Sequence, residues 1–304
     1  MAAAEIEIDV DLVRALLGAQ HPDLADRPLR VAAEGWDNVM VRLGDDLAVR
    51  LPRREPAAPL VVHEQESLPW LAARLPVPVP APVRVGVPST DPAYPWHWSV
   101  VPWFAGHRAA DVPRPRRQRL AAPLAAFLDA LHAPALDAPV NPVRGVPLTT
   151  RDEAVRRRLA DPRVGSAARL AAVWEDALAA PLHDGPAVWV HGDPHPGNVV
   201  VGDDDGLAAV VDFGDVTSGD PATDLATAWL TFDDAGRAEF RRALAHRYPA
   251  DDPVWVRARG WAVAMASAMV VDSSAEHAWL PPLGVESLDQ VLADASAEDA
   301  ASRH

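Results

Sequence analysis

The chain of 304 residues has no lysine and no cysteine, so all 28 of its basic residues are arginine. Without cysteine there are no disulfides, no thiolate nucleophile and no cysteine-ligated zinc. No apolar run reaches the roughly 18 residues a membrane helix needs; residues 261–271, "WAVAMASAMVV", are shorter and read as a buried helix. The start, "MAAAEIEIDVDLV", is acidic and lacks a basic stretch followed by an apolar one, so it is not a secretory signal. These absences make the cytoplasm the expected location. Positive charge is scarce as well, with 43 acidic residues, a net charge of −15 and a pI near 5.1. Nonspecific nucleic-acid binding needs basic patches, so no nucleic-acid or membrane partner is expected. The acidity suits a cationic small molecule, although solubility alone is the plainer reading.

What is present is globular. Apolar residues make up 49% and charged residues 23%, enough for a packed core. At about 150 residues per domain the length implies two domains or lobes. Proline, at 31 residues, signals rigid loops. Val10, Val13, Leu16 and Leu17 have helical spacing. "LRVAAEG", "VMVRLG" and "LAVRLP" read as strands, the last two joined by a turn at Gly44-Asp45-Asp46. A helix over 60–75 is interrupted by Pro69, the Pro-rich stretch 76–86 is extended, and 97–106 reads as a strand followed by a linker.

Beyond that point the pattern is mostly helical. Leu120, Leu124, Phe127, Leu128 and Leu131 form one stripe, and Thr150 with Glu153 predicts a capping box. Strand signals return at 187–191, 199–201 and 207–213. Helices follow near 221–231, 234–247, 253–272 and 285–295, with a frayed end over 295–304. The expectation is an α+β, bilobal arrangement, with a small β-rich lobe over 1–103 and a larger, mostly helical lobe over 104–304.

The chemistry sits in "VWVHGDPHPGNVVVGDDDGLAAVVDFGD", 188–215. Asp193 and Asn198 stand five apart on a Pro- and Gly-rich loop. Two short β runs around the acidic turn 202–206 lead to Asp212-Phe213-Gly214. Phosphoryl transfer on a kinase scaffold requires this order. One carboxylate takes the proton of an acceptor hydroxyl. An amide oxygen and a second carboxylate hold magnesium against the phosphates.

"HGDPHPGN" and "VVDFGD" resemble the motifs of the aminoglycoside phosphotransferase family, the kinase-like antibiotic kinases. "VVDFGDVTSGDPATDLATAWL" and, upstream, "EGWDN", "VRLGDDLAVRLPRR" and "EQESLPWLA" extend the resemblance over roughly 30–280. It implies a protein-kinase-like fold and Mg2+-dependent transfer from ATP or GTP to a small-molecule hydroxyl. By resemblance Asp193 is the catalytic base and Asn198 and Asp212 are magnesium ligands. Glu64 partners the cation of the third strand, with Glu66 as a second candidate. Asp215 supports the metal site, Asp224 fixes the catalytic loop, and the backbone from Val101 to Trp103 receives the adenine edge. The family's usual strand-three residue is lysine. Here it is Arg50, which keeps the charge and can grip phosphate bidentately, but is wider and planar. Arg53 and Arg54 are further phosphate candidates, although Pro52 ends the strand before them.

The acceptor expected from the resemblance is an aminoglycoside-type antibiotic. Alternatives are a macrolide kinase, a choline-, homoserine- or fructosamine-type metabolite kinase, and a nucleotide-binding protein with little turnover. Glu175, Asp176, Asp233, Asp234, Asp272 and Glu276 are acidic positions in the helical half; in the aminoglycoside kinases such residues bind substrate ammonium groups, but any acidic protein has them and none is assigned. His191 and His195 suggest a metal site but lack a third ligand at suitable spacing, so loop packing is the better reading. Trp96, Trp98 and Trp103 serve either base stacking or a core. Arg156 to Arg158 read as a solvated face.

Overall fold

Alternating side chains build the first sheet. β1 (Leu29–Glu34), β2 (Asn38–Leu43) and β3 (Leu47–Pro52) pair antiparallel, with the 44–46 turn between the last two. β4 (Arg84–Gly86), a small hairpin of β5 (Ser89–Thr90) and β6 (Ala93–Tyr94), and β7 (Trp98–Pro102) follow. The five-stranded order is β1-β2-β3-β7-β4. One face carries Val39, Val41, Leu43, Leu47, Val49, Leu51, Trp98 and Val100, packed on Val13, Leu16 and Leu17 of α1 (Val10–Gln20). Side chains alternate across a strand, and Arg50 stands in register with Met40 and Ser99. Arg50 therefore emerges on the face away from that core. The computed structural model describes residues 5–35, 37–135 and 138–301, apart from the side chains of Glu34, Glu276 and 298–301.

Helix α2 (Ala58–Ala72) starts before the apolar pattern and accommodates Pro69 inside it. Its buried positions are Val61, Glu64, Ser67, Leu68 and Leu71. That spacing of three and four is one helical stripe. It carries Glu64 inward, whereas Glu66 points to solvent.

The chain divides into two compact units. The first is Met1–Ala105 together with Ala209–Val216, and the second is Gly106–Ala208 with Thr217–His304. The segment bearing Asp212-Phe213-Gly214 thus belongs with the sheet; the Val210 N–H donates to the Pro78 carbonyl at 3.1 Å. A single cut at 103 does not describe this return of the chain.

The second unit is helical. α3 (Ala121–Leu131), α4 (Asp152–Leu159) and α5 (Ala167–Ala179) precede the β segments, and α6 (Ala222–Leu225), α7 (Thr227–Thr231), α8 (Asp234–Ala243), α9 (Val254–Val271) and α10 (Leu280–Ala301) follow them. Before α3, β8 (His107–Arg108) pairs antiparallel with β10 (Val199–Val201), and β9 (Val188–Val190) pairs with β12 (Thr217–Gly219); β11 (Leu207–Val210) carries the chain back to the first unit. α9 is 18 residues long and apolar enough to cross a membrane by composition, but 83% of it is buried in the protein. It is the helix on which α4, α5, α6 and α10 pack.

Three local expectations fail for physical reasons. Thr150 makes no capping box: its hydroxyl donates to the Pro147 carbonyl at 2.8 Å in a 3-10 turn, and α4 starts two residues later without a side-chain cap. Arg158 is not on a solvated face, since it is buried and bonds Asp272 at 2.7 Å. The C-terminal helix does not end near 295 but continues to Ala301, with Leu283, Leu288, Val291 and Leu292 buried along it.

Candidate active site

In the first unit the sheet face and α2 converge on Arg50. Its Nε lies 3.0 Å from Glu64 Oε2, and its Nη2 donates to Asp212 Oδ1 at 3.0 Å. Arg50 and Glu64 are both buried, and Asp212 is half exposed. Asp212 has a φ of 63°, a left-handed conformation that aspartate tolerates better than most residues. Gly214 lies against the guanidinium, with an added Cβ 3.4 Å from Arg50 Nη2. Glu64, rather than Glu66, is thus the carboxylate beside the cation.

The electrostatics of this trio are uneven. Burial works against the Arg50 charge, but Glu64 and Asp212 outweigh it and raise its proton affinity above the ordinary arginine value. Burial pushes the Glu64 carboxyl up to about 7, helped by the like charge of Asp212 and opposed by Arg50 and the Phe213 N–H. Folded Glu64 therefore keeps its proton from the ordinary 4.5 up to about 7, where the unfolded chain has released it. Stability must fall as pH rises through that window. Glu64→Gln removes the titration. Urea unfolding between about pH 4 and pH 8 should show the wild type losing at most about 3 kcal/mol relative to the variant. A difference that stays constant across that range would place Glu64 at the ordinary carboxylate value.

Other cations of this unit have different work. Arg54 Nε bonds Asp37 Oδ1 at 2.7 Å and Arg53 Nη1 bonds the Gly35 carbonyl at 3.2 Å, so both hold the β1–β2 turn. The Trp103 N–H donates to the Asp46 carbonyl at 2.8 Å, which leaves Trp103 only its carbonyl for a nucleobase edge. Val101 stands opposite Ala48 on β7, on the same sheet face as Arg50. Trp98 is a core residue, Trp96 packs edge-on against Tyr94, and Trp103 lies under Arg42 at 4.9 Å.

In the second unit β9 delivers the loop of Asp193. Gly192, at φ 91°, turns the chain where a side chain would be strained. Asp224 is fully buried and accepts the His191 N–H at 2.8 Å and the Gly192 N–H at 2.9 Å. It also faces His132 Nε2 at 3.3 Å, and His132 Nδ1 meets the Tyr248 hydroxyl at 2.8 Å. Burial raises the Tyr248 pKa, so the phenol keeps its proton for Nδ1 and leaves the Nε2 proton to Asp224. His132 closes α3 and Tyr248 lies five residues past the end of α8, and neither carried a further sequence signal.

His191 Nδ1 accepts the Asp193 N–H at 3.2 Å, and His195 Nδ1 accepts the Gly197 N–H at 2.9 Å. Both histidines therefore shape the loop. His195 Nε2 lies 3.5 Å from Asp193 Oδ2, and Arg144 Nη2 lies 3.6 Å from Asp193 Oδ1. Arg144 is the site residue the sequence reading missed. Asn198 donates its side-chain N–H to the Asp193 carbonyl at 2.9 Å, which identifies its other end as oxygen. Among the described residues no cluster of three or more acidic or histidine side chains forms a complete metal cage.

Most of the acidic positions named in the helical half have partners of their own. Glu175 pairs with Arg156, Asp234 with Arg237 and Asp272 with Arg158, while Asp233 caps α8. Asp176 is exposed, and the Glu276 side chain lies outside the described residues.

A β-rich first unit with a buried arginine–glutamate pair, and a helical second unit with an Asp–x4–Asn loop, define a protein-kinase-like fold. The chain belongs to the phosphotransferase enzyme family, whose family model matches residues 28–261. It is similar to the GDP and kanamycin complex of APH(2")-IIia at 21% identity and a TM-score of 0.69, covering 92% of this chain and 97% of that one. A streptomycin–ATP complex of APH(2")-IIa matches at 17% identity, TM-score 0.60, over 88% and 93% of the two chains. Macrolide 2'-phosphotransferase MphH from Brachybacterium faecium matches at 23% identity, TM-score 0.58, over 91% and 98%. No curated protein sequence matches the chain.

Proposed function

We propose that the protein transfers the γ-phosphoryl group of ATP or GTP to a hydroxyl of a small molecule with the help of magnesium. The observation that carries this reading is the Arg50 guanidinium held by Glu64 and Asp212. A buried cation fixed by the Asp212 carboxylate and the Glu64 carboxyl group keeps its charge and can turn its remaining N–H donors to a phosphate. Asp193 would take the acceptor proton, as a carboxylate fixed at the end of a tied loop can. Asn198 and Asp212 would each offer the hard oxygen donors magnesium prefers, and magnesium takes its remaining ligands from water and substrate phosphates. Bound there, the ion would neutralise phosphate charge.

The acceptor we favour is an aminoglycoside-type antibiotic, since the chain is similar in fold to a kanamycin-bound phosphotransferase. A macrolide-type acceptor has its own support. Arginines neutralise three of the acidic residues that a polycationic acceptor would use, and the macrolide phosphotransferase is also similar in fold.

Calorimetry with ATP and GTP, with and without magnesium, tests the donor half. Arg50→Ala should weaken nucleotide binding by about 10- to 100-fold, the loss of one or two charge-assisted hydrogen bonds. Equal affinity in wild type and variant would remove Arg50 from the phosphate site.

A further inference from the structure

We propose that Arg144 is a second catalytic residue, contacting the phosphoryl group as it transfers beside Asp193; this rests on the phosphotransferase reading above. Arg144 is brought to the base by a loop built for that purpose. The Thr217 hydroxyl donates to the Pro139 carbonyl at 2.8 Å and accepts the Asn141 N–H at 3.0 Å. Asn141 Oδ1 accepts the Val143 N–H at 2.9 Å. Beyond Arg144, the Gly145 N–H donates to Thr223 Oγ1 at 3.1 Å, and the Gly145 carbonyl accepts the Asp220 N–H at 3.0 Å. Gly145 has φ +66°, and a Cβ there would sit 2.9 Å from the Ser218 carbonyl oxygen. A Cβ on Gly219 would sit 2.0 Å from the Gly145 carbonyl. The loop is thus fastened on both sides of Arg144 to the strand that pairs with β9, the strand that leads into Asp193.

The separation also suits this role. At 3.6 Å the guanidinium is in ion-pair range of Asp193 but beyond a normal hydrogen bond. An acceptor hydroxyl must lie about 2.6–3.2 Å from Asp193 for its proton to move. The phosphorus lies about 3–3.5 Å from that oxygen as the two are poised to react. Phosphoryl oxygens thus come within reach of a guanidinium already beside the base. In the step, the acceptor oxygen bonds phosphorus, its proton passes to Asp193, and the phosphorus–oxygen bond to the nucleoside diphosphate breaks with the electron pair leaving on that oxygen. Arg144 keeps its protons and faces the charge spread over the equatorial oxygens.

The test needs no acceptor. Single-turnover release of labelled phosphate to water from γ-labelled ATP and GTP, with magnesium, is compared in wild type, Arg144→Ala and Arg144→Lys. Arg144→Ala should slow the chemical step about 10²–10³-fold, with nucleotide affinity changed less than about threefold. Arg144→Lys should fall between the two. Guanidinium ion at tens of millimolar should restore part of the Arg144→Ala rate, which a merely structural arginine would not allow. An Arg144→Ala rate equal to wild type, or a slow rate that guanidinium leaves unchanged, overturns the inference alone. A wild-type protein that binds neither nucleotide overturns the phosphotransferase reading and this inference with it.

Discussion

Asp193→Asn should lower phosphoryl transfer by about 10²–10⁴-fold and leave nucleotide affinity within a factor of about three. The substitution is nearly isosteric, so the backbone bonds around it persist: the Asp193 N–H to His191 Nδ1 and the Asn198 side chain to the Asp193 carbonyl. What is lost is a carboxylate able to take a proton. An amide can still position a hydroxyl, which sets a floor under the residual rate. Stopped-flow nucleotide binding and single-turnover chemistry on the same preparation separate the two effects. A variant that turns over at the wild-type rate would show that Asp193 is not the base. One that loses nucleotide binding and chemistry together would show a folding role instead.

Asp224→Ala has the largest expected effect on stability. Asp224 is fully buried and answers three donors: the His191 N–H, the Gly192 N–H and His132. Each buried donor left without an acceptor costs about 1–3 kcal/mol. Removing one partner of a buried charged network costs about 3–5 kcal/mol in comparable cases. The second unit should therefore melt on the order of 10 °C lower. The Asp193 loop should lose its alignment even where the chain remains folded. Asp224→Asn keeps one acceptor oxygen and should fall between the two. Unchanged melting of Asp224→Ala would mean that His132 and the loop amides find other acceptors, and that Asp224 does not organise the loop.

The residues legible in the sequence are those whose chemistry imposes a short, fixed spacing. Asp193 and Asn198 share one loop, and Asp212 is reached by a single β excursion, so their order survives in the linear string. Arg50 was legible because it stands on a strand at the place where the family it resembles carries a lysine. Glu64 could be separated from Glu66 only by the structure, since the choice depends on which stripe of α2 faces inward. Arg144, His132 and Tyr248 were not legible. Arg144 reaches Asp193 across 49 positions of chain, His132 reaches Asp224 across 92 and Tyr248 reaches His132 across 116, and nothing in their own neighbourhoods marks the contact. The same limit explains the misread surfaces. Arg158 looks solvated on its own, yet it is buried where it pairs with Asp272, which stays exposed. Thr150 has the spacing of a cap, but the preceding Pro147 carbonyl claims its hydroxyl first.

Mass spectrometry of a mixed panel of aminoglycosides, macrolides and small hydroxylated metabolites tests the central claim most directly. The panel is incubated with the protein, magnesium and ATP or GTP, beside Asp193→Asn. The account predicts one product heavier by a single phosphate in the wild-type reaction and absent with the variant, which would also name the acceptor class. No nucleotide consumption and no phosphorylated product with either donor would contradict it, and would leave Arg50, Glu64 and Asp212 as a structural ion network on a kinase-like fold.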